Sequence, residues 1–394
     1  MLTTLMAAAA GTLVIVGGAL DPGNAAVFGA FAEAAGKDSA IAVIPAASGT
    51  PTTSARNFAE DIARHGVVAS RVVTVRVAAE DDPATPDIDE RRWASNASDP
   101  AEIAKIERAG GIWFTGGDQS RIVATLVAGD GSDTPLLAAI RKRLAAGAVV
   151  GGTSAGAAIM SGSMILQGDS LAALLPAPAG EPLKVGRGLG FFPRGIVDQH
   201  FDARARLGRL SVALATLPVA ERMGYGIDEN TALIVDLARG TAKAVGAGYV
   251  TLIDARTATY IGGKRLSAEG LSLGVASGGD VIDLADQTVT PAAYKKPTIG
   301  REYNNTSTLD GGGMAVPGGG TAATIGGDLI DNRAATRIDR LSFSGGRGVV
   351  YRFAKRSSSR GWWGRDADGI ARYAVEGIVF AILPIDITVK GALR

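Results

Sequence analysis

Cysteine is missing from the sequence. This excludes a disulfide framework, a thiol nucleophile, and zinc or iron–sulfur centres held by thiolates. Histidine is scarce. Only His65 and His200 occur, so a step that needs an imidazole has two candidates. An excess of one charge is also missing. Lys and Arg total 40 against 39 Asp and Glu, a formal charge of +1, and a dedicated nucleic-acid binder would carry a basic excess. No H-E-x-x-H pair, Walker A loop or EF-hand loop is present, and the reading calls for no metal and no organic cofactor.

Long apolar runs are confined to the N-terminus. Met1 to Leu20 carry no side-chain charge, but Thr3, Thr4, Gly11, Thr12, Gly17 and Gly18 weaken a membrane span. No basic residue precedes Leu2, as a signal peptide would want. The stretch is therefore divided. Residues 1–10 are a leader or the remnant of an export signal, with Ala8-Ala9-Ala10 suited to cleavage, and Gly11 to Val16 is a buried strand. The incomplete signal implies the cytoplasm, and a truncated remnant would imply export. No membrane partner is expected.

What is present suits a large core: 46% of residues are hydrophobic and only 20% charged. Over the first two-thirds of the chain, short apolar runs alternate with helical spacing. Strands are expected at Gly11, Ala40, Ser70, Gly111 and Ala148, and helices over 22–37, 51–65, 100–109 and 134–146. Thr52, Thr53 and Ser54 are cap candidates for the second helix. Asp99 caps the third, with Pro100 at its first position and Glu102 placed to reach back in a capping box. The alternation predicts an α/β fold, a mostly parallel sheet with helices on both faces, whose sites form at the carboxyl ends of the strands. From about Lys264 the helical periodicity fades. Gly311 to Gly327 reads as a flexible loop or linker, and strands are expected over 348–353 and 377–389. The expected division is a leader over 1–10, an α/β domain over 11–290, and a Gly-rich linker with a small β-rich C-terminal region over 291–394.

Three segments carry chemistry. Gly152 to Gly156, GTSAG, follows a buried strand in the G-x-S-x-G pattern of a nucleophile elbow. Small neighbours let Ser154 stand clear of the backbone, and the amide of Ala155, at a helix start, is a natural oxyanion donor. The bland alternative is a glycine-rich turn with a capping serine. Asp198 to Leu210, DQHFDARARLGRL, places His200 after an apolar run and before a helix carrying Arg204, Arg206 and Arg209. Imidazole is the base best matched to a serine hydroxyl near neutrality, whereas His65 reads as a helix C-terminal residue. The acid that orients the imidazole has several candidates: Asp202, Asp228 and Glu229 after His200, and Asp169, Glu181 and Asp198 before it. Alternation does not choose among them. In Thr115 to Arg121, TGGDQSR, two glycines allow close backbone approach, Asp118 or Gln119 caps the next helix, and a plain capped turn explains Asp118 better than Gln119. Near the C-terminus, Arg352, Lys355, Arg356, Arg360 and Arg365 interleave with Tyr351, Phe353, Trp362 and Trp363. The preferred reading is a hairpin with its tryptophans on the core, and the alternative is a surface for an acidic polymer.

With GGDQ, GTSAGA and DQHFDARARLGRL in this order, and GIDENTAL after them, the chain resembles the cyanophycinases, within the peptidase E group of serine hydrolases. The resemblance covers about residues 11 to 290. It implies a flavodoxin-like or class I glutaminase-like α/β fold and a Ser-His-Glu triad of Ser154, His200 and Glu229. It also implies Gly117 and Ala155 amides as the oxyanion hole, and Gln119, Asp198, Gln199, Arg204, Arg206 and Arg209 as substrate contacts. The family's substrate is cyanophycin, a poly-aspartate with arginine on each side-chain carboxyl, cleaved in the backbone to β-Asp-Arg. The implied partners are cyanophycin or aspartyl peptides, with a homodimer allowed. The rivals are a peptidase E-type aspartyl dipeptidase, an esterase with Asp169 or Asp198 as acid, and a non-catalytic polymer-binding protein on a hydrolase fold.

Overall fold

Five short strands carry the first part of the chain: β1 (Thr12–Val16), β2 (Ala40–Ile44), β3 (Val72–Thr74), β4 (Ala109–Phe114) and β5 (Val149–Thr153). The computed structural model describes residues 11–175, 181–262, 265–307, 312–315, 320–344 and 346–388. The expected leader over 1–10 lies outside them. By its contacts the chain divides into two units that alternate along the sequence. The first comprises Met1–Gly162, Arg187–Pro193 and Asn230–Gly246, and the second Ser163–Gly186, Arg194–Glu229 and Ala247–Arg394.

In the first unit β1 pairs in parallel with β5, β5 with β4, β4 with β2, and β2 with β3. On the other side of β1 the strand Thr231–Asp236 runs antiparallel and pairs onward with Thr241–Gly246. Helices connect the parallel strands: α1 (Ala25–Ala35), α2 (Pro51–Ala63), α3 (Pro100–Glu107), α4 (Gln119–Leu126), α5 (Pro135–Ala145) and the single turn α6 (Ala155–Ala158). Alternate residues of a strand face opposite ways. Val14, Val16, Ile41 and Val43 pack with Phe28 and Phe31 of α1 and Phe58 of α2, while Leu13 and Ile15 are equally buried on the opposite side. Leu144 of α5 lies against Gly11, where a Cβ would stand 2.5 Å from it. The α/β architecture expected from the alternation is thus present.

Local details differ from expectation where tertiary partners compete. Asp99 does cap α3 by accepting from the Ala101 amide, but Glu102 does not reach back; its carboxylate accepts from the Arg76 amide and from Lys105. Thr52, Thr53 and Ser54 lie inside α2. Thr50 is its cap residue, and Ser48 Oγ accepts the Thr50 amide. The strand expected from Ser70 is reduced to three residues, because β3 pairs on one side only and Ala69–Arg71 forms a 3-10 turn. Arg204 and Arg206 precede the helix Leu207–Leu214, and only Arg209 lies on it. His65 is structural. Its ring stacks on Phe28, and Nε2 lies 2.8 Å from the Pro22 carbonyl.

The second unit is built on antiparallel strands around the long strand Ala371–Asp386. One edge pairs with Ser267–Ser277, and the other pairs in turn with Arg360–Arg365 and Arg347–Ala354. From Ser267–Ser277 the sheet continues through Tyr249–Asp254 and Met223–Ile227 to Ile196–Asp198, the last pair being parallel. The β-rich C-terminal region is therefore present. Tyr351 and Phe353 lie in its core, Arg352 pairs with Asp339, and Arg360 with Glu376. The Gly311–Gly327 run is not all loop, although part of it lies outside the described residues. From Thr321 it is helical, with a wide π turn over Ala323–Ile330. Gly326 permits that turn to lie on Tyr373, since a Cβ there would stand 2.8 Å from the ring. Among the described residues no helix is long and apolar enough to cross a membrane.

Candidate active site

The first unit holds the serine. Ser154 leaves β5 with φ 55° and ψ −111°, a conformation that strains a residue with a Cβ. Its amide donates to the Val16 carbonyl at 3.0 Å, and its own carbonyl accepts the amides of Ala157 and Ala158. The glycines around it are required by contact. A Cβ at Gly152 would stand 2.6 Å from the Gly156 carbonyl oxygen, and one at Gly156 2.5 Å from that of Phe114. Because α6 is a single turn, it presents local amides such as that of Ala155 rather than a long helix dipole. Gly116 lies beside Ser154, where a Cβ would be 3.3 Å from the serine Cβ. Gly117 has φ 141° and leaves no room for a side chain, which would meet the Ala47 carbonyl at 2.0 Å. Asp118, not Gln119, caps α4 by accepting from the Ser120 amide; Gln119 follows it, buried.

The second unit holds the imidazole. Strand Ile196–Asp198 delivers His200 to a tight turn, where φ is 47°. Nδ1 of His200 lies 2.6 Å from Glu229 Oε1. Donation from Nδ1 to the carboxylate fixes the tautomer whose Nε2 carries the lone pair. Burial pushes the His200 pKa below its ordinary value. The Glu229 hydrogen bond opposes this, and the charges of Arg204 and Arg206 add to the fall.

The other carboxylates have different partners. Asp198 is 2% exposed and is gripped in a fork by Arg209, whose Nε and Nη2 reach its two oxygens at 2.8 and 2.5 Å. Arg209 Nη1 donates to the Gly168 carbonyl. Arg206 donates to Asp198, to the Gln199 side chain and to the Gln199 carbonyl. Burial alone would raise the Asp198 pKa, but Arg209 and Arg206 outweigh it and hold the group ionised. Removing one partner of such a buried pair costs about 3–5 kcal/mol. Arg204 is exposed. Asp169 caps the helix Ser170–Leu174 by accepting from the Ala172 amide, and also accepts from the Glu181 amide.

Sequence comparisons relate this chain to known proteins. The sequence profile of peptidase family S51 matches residues 88–241. A cyanophycinase of Synechococcus elongatus is 33% identical over 288 residues, covering 71% of this chain and 81% of its own. One from Trichormus variabilis is 32% identical over 292 residues, covering 72% and 89%. The chain belongs to the cyanophycinase family. It is a serine-type peptidase. A cyanophycinase of Geminocystis herdmanii is 35% identical over 237 residues, covering 60% of this chain and 77% of its own. Among solved structures, a peptidase from an acI-B1 Actinobacterium aligns with a TM-score of 0.42 and 23% identity, over 62% of this chain and 91% of that one.

A second network of carboxylates lies near the imidazole. Asp228, one residue before Glu229, accepts the amides of Asp202 and Tyr249. The Asp202 carboxylate accepts both the amide and the hydroxyl of Thr321. Burial and the Asp202 charge push the Asp228 pKa up to about 7, and burial raises that of Asp202. The sequence offers both acids as triad candidates, whereas Thr321 carries no local signal because its partner lies 119 residues away.

Proposed function

We propose that this chain is an exopeptidase that hydrolyses the poly-aspartate backbone of cyanophycin to β-Asp-Arg through an acyl-enzyme. Ser154 is the nucleophile, His200 the general base and Glu229 the acid that orients it. The observation that carries the reading is the 2.6 Å contact between His200 Nδ1 and Glu229, because a carboxylate accepting from Nδ1 favours the tautomer in which Nε2 is the basic nitrogen. The strained backbone of Ser154 supports it.

In this mechanism Nε2 of His200 removes the hydroxyl proton of Ser154, and Oγ attacks the scissile aspartyl carbonyl. The amides of Ala155 and Gly117 hold the oxyanion. The tetrahedral species collapses, the C–N bond breaks, and the leaving amine takes its proton from the imidazolium. Water, deprotonated by the same ring, then cleaves the ester and restores Ser154. Gln119, Asp198, Gln199, Arg204, Arg206 and Arg209 contact the substrate or hold the groups that do. Arg209 belongs to the second kind, since its fork is already closed on Asp198. Residues 11–290 carry the hydrolase in this reading, and 291–394 form an extension.

The test is release of β-Asp-Arg from insoluble cyanophycin by the purified chain, beside hydrolysis of short Asp-X peptides. Polymer cleavage that Ser154→Ala abolishes is the expected result. Cleavage of short peptides alone would favour an aspartyl dipeptidase, and full activity in Ser154→Ala would sink the mechanism.

A further inference from the structure

The second unit contains a cavity of about 570 Å³ in its C-terminal region. Lys296, Thr298, Arg301, Tyr303, Trp363 and Arg365 line it. It lies outside the segment matched by peptidase family S51, which ends at residue 241. Its wall is a pair of strands, with Lys296 opposite Trp363 and Pro297 opposite Trp362. The site therefore stands on sheet rather than on a free loop.

Three observations point to a ligand. The first is charge. Three cations face one carboxylate, Asp331, and that carboxylate is already engaged: Oδ2 accepts from the Tyr373 hydroxyl at 2.9 Å, and Oδ1 from the Tyr303 amide. The cavity is thus biased towards anions. The second is aromatic surface. Tyr303 is 91% exposed and Trp363 37%, which is unusual for rings that stabilise nothing by being wet. The third is a cation already seated on one of those rings: the Arg365 guanidinium lies 5.8 Å from the Trp363 centroid.

We propose that this cavity is a docking subsite for a strand of the polymer, separate from the residues that cleave it. The polymer's identity rests on the proposed activity. Each repeat of cyanophycin presents a free carboxylate and a guanidinium. Arg301 and Lys296 take carboxylates, Arg301 with two parallel hydrogen bonds. The exposed face of Tyr303 takes a guanidinium plane, and Trp363 holds Arg365 in place beside it. Such a subsite would raise the local concentration of an insoluble substrate without changing the chemistry.

The experiment uses the full chain carrying Ser154→Ala, so that the polymer stays intact, and measures the fraction retained on sedimented cyanophycin granules. Lys296→Glu with Arg301→Glu, both at exposed positions, is expected to lower retention about tenfold. Trp363→Ala is expected to do the same. Without Ser154→Ala, the charge-reversed chain should hydrolyse short soluble β-Asp-Arg oligomers within about twofold of the unaltered rate. Retention unchanged by the charge reversal would overturn the proposal, as would equal retention on plain poly-aspartate, because then only anionic charge is read. A chain that binds granules in this residue-dependent way but cleaves no peptide would overturn the hydrolase reading and leave the docking subsite standing.

Discussion

Thr321 donates both its amide, at 2.9 Å, and its hydroxyl, at 2.7 Å, to the carboxylate of Asp202. Asp202 lies two residues beyond His200, and its own amide is held by Asp228. His200 sits at a positive φ, which persists only where the surroundings hold it there. The contact thus ties a distant stretch of chain to the turn that carries the imidazole. Thr321→Val keeps the shape and the amide bond but removes the hydroxyl. The expected outcome is a loss of about 1–3 kcal/mol in denaturant unfolding, together with a severalfold fall in kcat at nearly constant KM. Unchanged stability and kcat would show that the tie does no positioning.

Asp202 and Asp228 also set a dependence on pH. Burial, and for Asp228 the neighbouring Asp202 charge, raise both pKa values, that of Asp228 to about 7. A carboxyl raised in the folded state binds more protons there than when unfolded. Its contribution is complete below the ordinary carboxylate range and is lost as the pH rises through about 7. These two groups should therefore lower the melting temperature as the pH rises from about 5 to about 7, against the smaller opposite contribution of the depressed His200. Asp202→Asn removes one charge of the pair and should flatten the decline. A wild-type melting temperature that climbs across this window would contradict the assignment.

Glu229 is expected to matter more for turnover than for binding. Glu229→Gln keeps the size of the side chain but can present its amide nitrogen to Nδ1, which favours the wrong tautomer. By comparison with other triads, kcat should fall by about 10³–10⁴ with KM little changed. Asp228→Asn, one residue away, should cost stability rather than the tautomer. Equal and small losses of kcat in both variants would remove Glu229 from its proposed role.

The ring of His200 should lose its proton below the ordinary histidine range, because burial and the charges of Arg204 and Arg206 outweigh Glu229. The acid limb of kcat/KM, which reports the free enzyme, should accordingly fall below about pH 6.5. Arg204→Gln removes one of those charges at an exposed position and should move the limb to higher pH, whatever it does to the maximum. A limb that moves to lower pH, or does not move, would argue against His200 as the base.

Much of this protein was legible in its order of residues because the signals are local. Strand–helix alternation up to β5 follows from apolar periodicity, and the elbow at Ser154 follows from the size of its immediate neighbours, since both depend on residues a few positions apart. The Asp99 cap was legible for the same reason. Where a side chain had a choice, a remote partner decided it. Glu102 accepts from Arg76 and Lys105 rather than its own helix start. Arg209 closes on Asp198, and Thr321 finds Asp202 across 119 residues.

Asp228 and Glu229 show the division most directly. They are adjacent carboxylates, alike in charge and chemistry, and nothing in their spacing separates them. In the folded protein Glu229 meets His200 across 29 residues, while Asp228 turns to the amides of Asp202 and Tyr249. By itself the sequence determined which elements form and which side chains have the chemistry for a hydrolase. The tertiary structure alone decided which carboxylate meets the imidazole, because that is set by the path of the chain between distant strands, and no local preference encodes that path.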